Sequence, residues 1–332
     1  MIACLYGRPF APFVEPVVQD LTAAAAGMGG EIVPMSIETA VADRSACADV
    51  HRLYVLPFDC PPGCGLPETP AMLIRRLFPH AALVTSFAVQ DLCWDKIATQ
   101  ERLLGRGVPV PETLMSAEPS DVLQFAQLHG FAILKERFSC AGQGHVVIWF
   151  EDGELLGDSG SRQYKMELVA EGGRQLRGDR LVYPGPFYVQ RLVVDEGPRT
   201  ITPGQVLRAY VVDNQIVFWT ERYRDHYTRP ADWILSAQRG VKYRFLHDAS
   251  EEAKKIALRS AEVLGARICA VDLIRTGSGG PYVLEVDTDG CHMMIDRQFK
   301  YIPEYREFFN LDWYIAEALL VEPVEVRKRE TI

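Results

Sequence analysis

The sequence lacks both a long hydrophobic run and an excess of basic residues. No stretch of about 18 consecutive apolar residues occurs, which a membrane-spanning helix would need. The 35 Lys and Arg residues are outnumbered by 44 Asp and Glu, giving a net charge of −9. Broad affinity for nucleic acid needs a basic surface. We therefore expect no membrane and no nucleic-acid partner, and without a basic, apolar leader segment we expect a cytoplasmic protein.

The sequence also lacks the paired cysteine spacing of a structural zinc site. The eight Cys residues are scattered, and only Cys60 and Cys64 lie close together, within the Pro- and Gly-rich stretch 59–65. A structural zinc site needs a second such pair. We interpret this stretch as a loop with two reduced thiols.

The length of 332 residues exceeds what one hydrophobic core usually supports, so we expect two or three lobes. Near the N terminus, short apolar runs alternate with a helical pattern that ends at Gly29 and Gly30. This alternation predicts a small α/β layer with a parallel sheet. The predicted strands are residues 2–6, 31–35, 50–57 and 82–85.

Three acidic residues fall on a predicted hairpin near the C-terminal end. Residues 270–274 and 282–287 are apolar strand patterns joined by a Gly- and Pro-rich turn. Asp272 lies on the first strand, and Glu285 and Asp287 share a face of the second. Oxygen ligands without nearby Cys or His favour Mg²⁺ or Mn²⁺. The alternative interpretation is an exposed hairpin with solvated acids.

Two further stretches suit an anionic ligand. An apolar strand at 131–135 ends in Lys135 and leads into a loop with Ser139, Gly142 and Gly144, whose backbone N–H groups can approach phosphate closely. An ordinary hairpin tip would look the same. Arginines also crowd into residues 222–244, which favours recognition of phosphate or carboxylate over a merely solvated loop.

In this order, the motifs resemble the ATP-grasp superfamily, specifically its RimK-like and glutathione-synthetase-like carboxylate–amine ligases. The resemblance covers residues 86–295 and extends to the N-terminal region only in its α/β character. The matching segments, by position, are 95–96 with 107–111, 132–135 with the following glycines, 189–193, 207–212, 221–222, and the three acids of the hairpin.

The resemblance implies a role for each of these residues toward ATP and Mg²⁺ (or Mn²⁺). Lys96 and Lys135 would contact phosphates, and Arg208 and Arg222 would stabilise the transferred phosphoryl group. Asp272, Glu285 and Asp287 would hold the metal. The remaining expected nucleotide contacts are the loop residues Ser139, Gly142 and Gly144, the adenine-side residues Gln190, Arg191 and Leu192, and Asp195 or Glu196 at the ribose.

The resemblance also implies a fold and a domain division. We expect an α/β (α+β ATP-grasp) architecture in which two α+β subdomains clamp ATP. The predicted parts are an N-terminal α/β domain (1–90), a central lid subdomain (91–187), a C-terminal subdomain with the metal site (188–321) and a charged tail (322–332).

Three departures from the family pattern concern the site. Asp287 stands where the third metal ligand is usually Asn, and Arg191 replaces the usual hinge acid. The family segment that often binds the acyl phosphate or acceptor appears here as residues 233–240, with its Arg and Asn both replaced. We therefore expect a substrate site different from that of ribosomal-protein glutamylation or glutathione synthesis.

The predicted activity is Mg²⁺-dependent formation of an amide or peptide bond through an acyl phosphate, with release of ADP and phosphate. The partners would be a small-molecule or peptide carboxylate and an amine, and a homo-oligomer stays open. One alternative is an ATP-grasp phosphotransferase acting on a hydroxyl group. Another is a non-catalytic nucleotide-binding protein, which would not need the acidic cluster.

Overall fold

The structure is a computed structural model that describes residues 1–7, 11–56, 70–138, 144–196, 201–235, 241–277, 279–288 and 310–321. The pair Cys60 and Cys64 and the charged tail lie outside these residues. Within them, no helix is both long and apolar enough to cross a membrane. The chain folds into mixed α and β structure with several sheets, which confirms the predicted α+β class.

The N-terminal region forms a four-stranded parallel sheet, as the alternating pattern predicted. The strand order is β2-β1-β3-β4. Two of the strands are shorter than predicted, since pairing ends before the apolar run does. The elements are β1 (Ile2–Tyr6), α1 (Ala11–Gly27), β2 (Ile32–Ser36), α2 (Ile37–Ala42), a 3₁₀ turn (Arg44–Cys47), β3 (Arg52–Val55), α3 (Pro70–Leu77) and β4 (Ala82–Leu83).

Two short helices connect this sheet to the rest of the chain. α4 (Phe87–Trp94) begins after Ser86, whose hydroxyl accepts from the backbone N–H of Val89. α5 (Lys96–Leu104) begins after Asp95, whose carboxylate accepts from the N–H groups of Ile97 and Ala98. Such side-chain acceptors satisfy the free N–H groups of a first helical turn.

The middle of the chain forms an eight-stranded, mostly antiparallel sheet in the order β10-β11-β9-β8-β7-β6-β12-β5. One of its faces packs on α6 (Pro119–His129). The strands are β5 (Thr113–Ser116), β6 (Phe131–Lys135), β7 (Val146–Glu151), β8 (Glu154–Asp158), β9 (Gln163–Val169), β10 (Gln175–Arg177), β11 (Arg180–Pro184) and β12 (Phe187–Arg191).

The C-terminal half contains a five-stranded antiparallel sheet in the order β17-β16-β15-β18-β19, after a two-stranded ribbon of β13 (Val194–Glu196) and β14 (Ile201–Pro203). The predicted acidic hairpin is confirmed as β18 paired with β19. The remaining elements are β15 (Gln205–Val212), β16 (Gln215–Tyr223), a 3₁₀ turn (Pro230–Trp233), β17 (Lys242–Leu246), α7 (Glu251–Leu264), β18 (Ile268–Arg275), β19 (Tyr282–Asp287) and α8 (Leu311–Leu320).

Helices cover the two faces of the five-stranded sheet unequally. α7 packs with α5 residues on one face, around Ala257 and Val271. On the other face, α8 and α1 pack over one end, where Tyr210, Ile315 and Leu21 belong to one core. The same face also carries the polar residues of the candidate site.

An arginine of the N-terminal sheet contacts the C-terminal end of α8. Arg52, which is buried at the start of β3, donates to the backbone carbonyls of Leu319 and Val321. Carbonyls in the last turn of a helix have no partner within the helix and carry its negative dipole end. The arginine therefore ties the N-terminal sheet to the helix that covers the five-stranded sheet.

Candidate active site

A row of cross-strand neighbours runs over one face of the five-stranded sheet. Residues paired directly across antiparallel strands point to the same face. Arg208 on β15 pairs with Thr220 on β16 and with Asp272 on β18, and Asp272 pairs with Glu285 on β19. The sheet therefore brings the predicted Arg208, Asp272 and Glu285 together as immediate neighbours.

The second predicted arginine belongs to the adjacent row. Arg222 lies two residues beyond Thr220 on β16 and therefore faces the same side. Its guanidinium lies 2.8 Å from one oxygen of Asp272, while Arg208 Nε lies 3.1 Å from the other. Asp272 is buried between two arginines, each of which is itself almost fully buried.

The two paired carboxyls, Asp272 and Glu285, differ in their affinity for protons. Burial raises the pKa of Asp272, although Arg208 and Arg222 oppose the shift. Burial would also raise the pKa of Glu285, but the positive charges of Lys96, Arg222 and Arg208 outweigh it and hold this pKa at about 2. Asp272 is thus the carboxyl that takes up a proton more readily, and Glu285 stays ionised.

Asp287 is partly exposed and shares Arg208 with Asp272. Its side chain is 37% exposed, and its carboxylate accepts a hydrogen bond from Arg208. A one-residue irregularity between Asp272 and Leu273 lets Val283 and Val286 both face the core. Glu285 and Asp287 remain on the other side of β19, where they face the site.

The residues present fit a hard cation only in part. Glu285 and Asp287 supply the carboxylate oxygens that Mg²⁺ and Mn²⁺ prefer. Asp272, however, is enclosed by its two arginines, and Arg208 also neutralises Asp287. Accordingly, within the described ranges, no three His, Cys, Asp or Glu side chains are arranged as a metal-binding group. The three-ligand set stays a prediction.

The two predicted lysines approach this cluster from the other sheet and from α5. Asp95 holds Arg137 through two hydrogen bonds, of 2.9 and 2.5 Å, while capping α5. This contact holds the start of α5 next to the segment that follows β6. It therefore brings Lys96, the first residue of α5, near Lys135, the last residue of β6. Because burial and the nearby Lys96 outweigh the attraction of Glu285, the pKa of Lys135 is lowered to about 8.

Gln190 is engaged by other side chains instead of pointing to an open adenine site. β12 lies between β5 and β6, so Gln190 pairs with both Thr113 and Ile133. Its amide oxygen accepts from Lys135 Nζ at 2.5 Å, and its amide nitrogen donates to Thr113 Oγ1 at 3.2 Å. In this arrangement Gln190 orients Lys135, and an adenine contact through its side chain stays a prediction.

The other predicted nucleotide contacts are described less completely. Arg191 ends β12, and its N–H bonds to the carbonyl of Glu112, whereas the buried Leu192 packs with Ile133. Ser139 and Gly142 lie outside the described residues, as do residues 236–240 of the departing family segment. Gly144 adopts a positive φ of 72°, which suits glycine. For Asp195 and Glu196, the structure describes the backbone of β13 and not the side chains.

A cavity of about 460 Å³ opens next to Lys135. Arg137 and Arg174 line it together with Tyr183 and Tyr188. Arg174 donates to the carbonyl of Gly144 at 3.2 Å. The arginines and aromatic rings that line this cavity suit an anionic or planar ligand.

Sequence reasoning missed three residues of the site. Thr220 pairs with Arg208, Tyr188 pairs with Lys135, and Tyr243 pairs with Arg222. Each stands within an ordinary strand pattern, so only the register of the neighbouring strand reveals it. For Tyr243, the alternation of exposed and half-buried residues along β17 is a weak signal that its side chain faces the site.

The chain is similar to known proteins in both sequence and fold. Residues 199–302 match the RimK-like ATP-grasp domain family. The chain is 27% identical over 194 residues to a probable alpha-L-glutamate ligase of Stenotrophomonas maltophilia, a match that covers 58% of this chain and 56% of that one. A probable alpha-L-glutamate ligase of Coxiella burnetii is 31% identical over 194 residues, covering 58% and 55%. The chain thus matches little more than half the length of these relatives.

Solved structures show the same fold at low sequence identity. The ATP-grasp ligase PsnB complexed with a minimal precursor has a TM-score of 0.59 and 17% identity, covering 96% of this chain and 97% of that one. D-alanine–D-alanine ligase from Bacillus anthracis has a TM-score of 0.60 and 12% identity, covering 96% and 95%. One PsnB structure is complexed with Mg and ADP. Together these comparisons confirm the RimK-like ATP-grasp resemblance.

Proposed function

We propose that this RimK-like ATP-grasp protein is a ligase that uses ATP to join a carboxylate to an amine through an acyl phosphate. One observation carries the proposal. Arg208, Asp272 and Glu285 form a row on one face of the five-stranded sheet, with Arg222 beside them. Arginines on one side and ionised carboxylates on the other suit a phosphoryl group in transfer.

The nucleotide would lie between this row and the two lysines. Lys96 and Lys135 supply positive charge for phosphate oxygens, and Gln190 holds Lys135 in place. Charge-assisted hydrogen bonds of this kind are stronger than neutral ones. Because the two sheets supply different parts of the site, closing them on ATP would also exclude water from the reacting groups.

The reaction needs no covalent bond to the protein. A carboxylate oxygen of the substrate attacks the γ-phosphorus, and the bond to the bridging oxygen breaks with its electron pair passing to ADP. The amine then attacks the acyl carbon, phosphate leaves with the carbon–oxygen electron pair, and the proton of the amine passes to solvent. Arg208 and Arg222 would stabilise the charge of the phosphoryl group and then of the tetrahedral oxyanion.

Glu285 and Asp287 are the residues that would hold Mg²⁺, with Asp272 behind them. When bound, the cation would neutralise phosphate charge near the arginines. Asp272 would orient both guanidiniums, because each of its oxygens already faces one of them at 3.1 Å or less. The protein therefore supplies positioning and electrostatics.

The substrates are proposed only by class. The named relatives are glutamate ligases, and the structural neighbours include macrocyclase MdnC from Microcystis aeruginosa bound with a precursor peptide. These names support an amino-acid or peptide carboxylate with an amine acceptor. The cavity next to Lys135 has room for a further substrate group beside the nucleotide.

The test is a screen of amino acids and peptides with hydroxylamine as the acceptor, scoring ADP release and hydroxamate. A hydroxamate reports an acyl phosphate, whereas ADP release with a stable phosphorylated hydroxyl would support the phosphotransferase alternative. Arg222→Gln should lower the rate at least a hundredfold, by analogy with loss of one oxyanion donor. The matched control is Arg259→Gln, since Arg259 lies on α7 in an exposed ion pair with Glu262. Nucleotide binding without any ADP release across the screen would contradict the proposal.

A further inference from the structure

The strand β17 carries a tyrosine that no part of the proposed mechanism uses. Tyr243 pairs with Arg222 across the sheet, and the guanidinium carbon of Arg222 lies 6.0 Å from the centre of its ring. The ring packs against the core shared by α1 and α8, and the charges of Arg222, Arg208 and Asp272 all act on the pKa of its hydroxyl. Tyr243 therefore belongs to the same row as Arg222.

The hydroxyl of Tyr243 is buried and has no hydrogen-bond partner among the residues that the structure describes. A buried hydroxyl without a partner costs free energy, and such groups are uncommon in folded proteins. An observed exception needs a cause, and binding a ligand is one. The exception here stands next to both arginines of the candidate site.

We propose that the Tyr243 hydroxyl donates a hydrogen bond to the oxyanion that Arg208 and Arg222 bind, which is the phosphoryl group of the acyl phosphate or the phosphate released from it. This inference rests on the proposed function and adds a third donor to that site. A tyrosine supplies one neutral donor and so adds direction without adding charge.

The protonation state of Tyr243 agrees with this role. Burial raises its pKa, while Arg222 and Arg208 lower it and Asp272 raises it. The balance keeps the proton on the phenol at neutral pH, as a donor requires. Arg208 would have to exchange its contact with Asp287 for the oxyanion, and Tyr243 would then meet that oxyanion from the side of Arg222.

The test uses Tyr243→Phe in the full chain, with inorganic phosphate as the probe in the presence of saturating ADP and Mg²⁺. Calorimetry should show phosphate binding weakened about tenfold, the loss of one hydrogen bond to a charged group, with unchanged ADP affinity. The matched control is Tyr223→Phe, because Tyr223 stacks on Arg244 on the opposite face of β16 and should leave phosphate binding unchanged.

Thermal unfolding without ligand separates a ligand contact from a structural role. Removing a hydroxyl that has no protein partner should leave the midpoint unchanged or raise it. A midpoint several degrees lower for Tyr243→Phe would assign the hydroxyl to the fold and overturn the inference.

The failures of the two proposals are distinguishable. If the parent binds ADP and phosphate, and Tyr243→Phe binds phosphate equally well, the assignment of Tyr243 is wrong and the proposed function stands. A parent that binds ADP but no phosphate also overturns the assignment. A parent that binds neither overturns the assignment and the proposed function together.

Discussion

Replacing Asp287 by asparagine changes a single charge at the point where the arginines and the acids meet. Asp287 accepts a hydrogen bond from Arg208 and is 37% exposed, so the pair is partly screened by solvent. Arg208 keeps Asp272 as a second partner at 3.1 Å. Without metal, Asp287→Asn should therefore cost about 1 kcal/mol of folding free energy or less.

The effect on metal affinity should be larger. At about 4 Å and an effective dielectric constant of about 20, one carboxylate attracts a unit charge by about 4 kcal/mol and a divalent cation by about twice that. We therefore expect Mg²⁺ to displace Arg208 from Asp287, although losing that ion pair offsets part of the gain. Asparagine keeps an oxygen donor but removes the charge, so we expect metal binding to weaken about tenfold, or about 1.4 kcal/mol.

The assay is a Mg²⁺ titration at fixed ADP, followed by thermal unfolding, since a ligand that binds only the folded state raises its stability. Asp287→Asn should need about ten times more Mg²⁺ for half of the stabilisation. The control is Asp213→Asn, because Asp213 is a partly exposed partner of Arg267 in the turn between β15 and β16. Identical Mg²⁺ responses of Asp287→Asn and the parent would refute Asp287 as a ligand.

The remaining predictions concern Lys135 and two ion or hydrogen-bond contacts elsewhere in the molecule. Lys135→Gln should weaken ADP binding at least tenfold by calorimetry, whereas the exposed Lys165→Gln should not. Because the pKa of Lys135 is about 8, its positive charge is lost as the pH rises above 8, and ADP affinity of the parent should fall there but not in Lys135→Gln. Asp158→Asn should lower the free energy of unfolding by about 2–4 kcal/mol in denaturant titrations, because Asp158 is fully buried and bonds to Arg229 through two nitrogens. Arg52→Met should speed hydrogen exchange in the last turn of α8 without changing ADP affinity, since two carbonyls there lose their donor.

The sequence alone predicts those parts of the fold that depend on residues close together in the chain. The acidic hairpin was predicted from two apolar runs and a turn, and the caps of α5 and α7 are likewise local, since the side chains of Asp95 and Ser250 accept from N–H groups in the first turn of each helix. These features depend on residues close together in the chain. The four-stranded parallel sheet was likewise predictable, because its strands and helices alternate.

The contacts within the site were not predictable in the same way. Asp272 faces two arginines because β15 lies between β16 and β18 in the sheet. More than forty residues separate the end of β16 at Tyr223 from the start of β18 at Ile268. Gln190 bonds to Lys135 because β12 lies beside β6. Strand order and register depend on tertiary contacts. From one sequence they can be predicted only where the sequence resembles a family of known fold.

The charges of the site explain why its arginines and acids are paired with each other. Lys96, Lys135, Arg208 and Arg222 are the basic groups of the site, and Asp272, Glu285 and Asp287 are its acidic groups. Buried charges persist only when they are compensated, so the side chains neutralise one another. A metal-bound nucleotide brings both signs of charge, and can give the acids a cation and the arginines an oxyanion at the same time. Arg208 therefore has two competing partners, and its release from Asp287 would link metal binding to phosphate recognition.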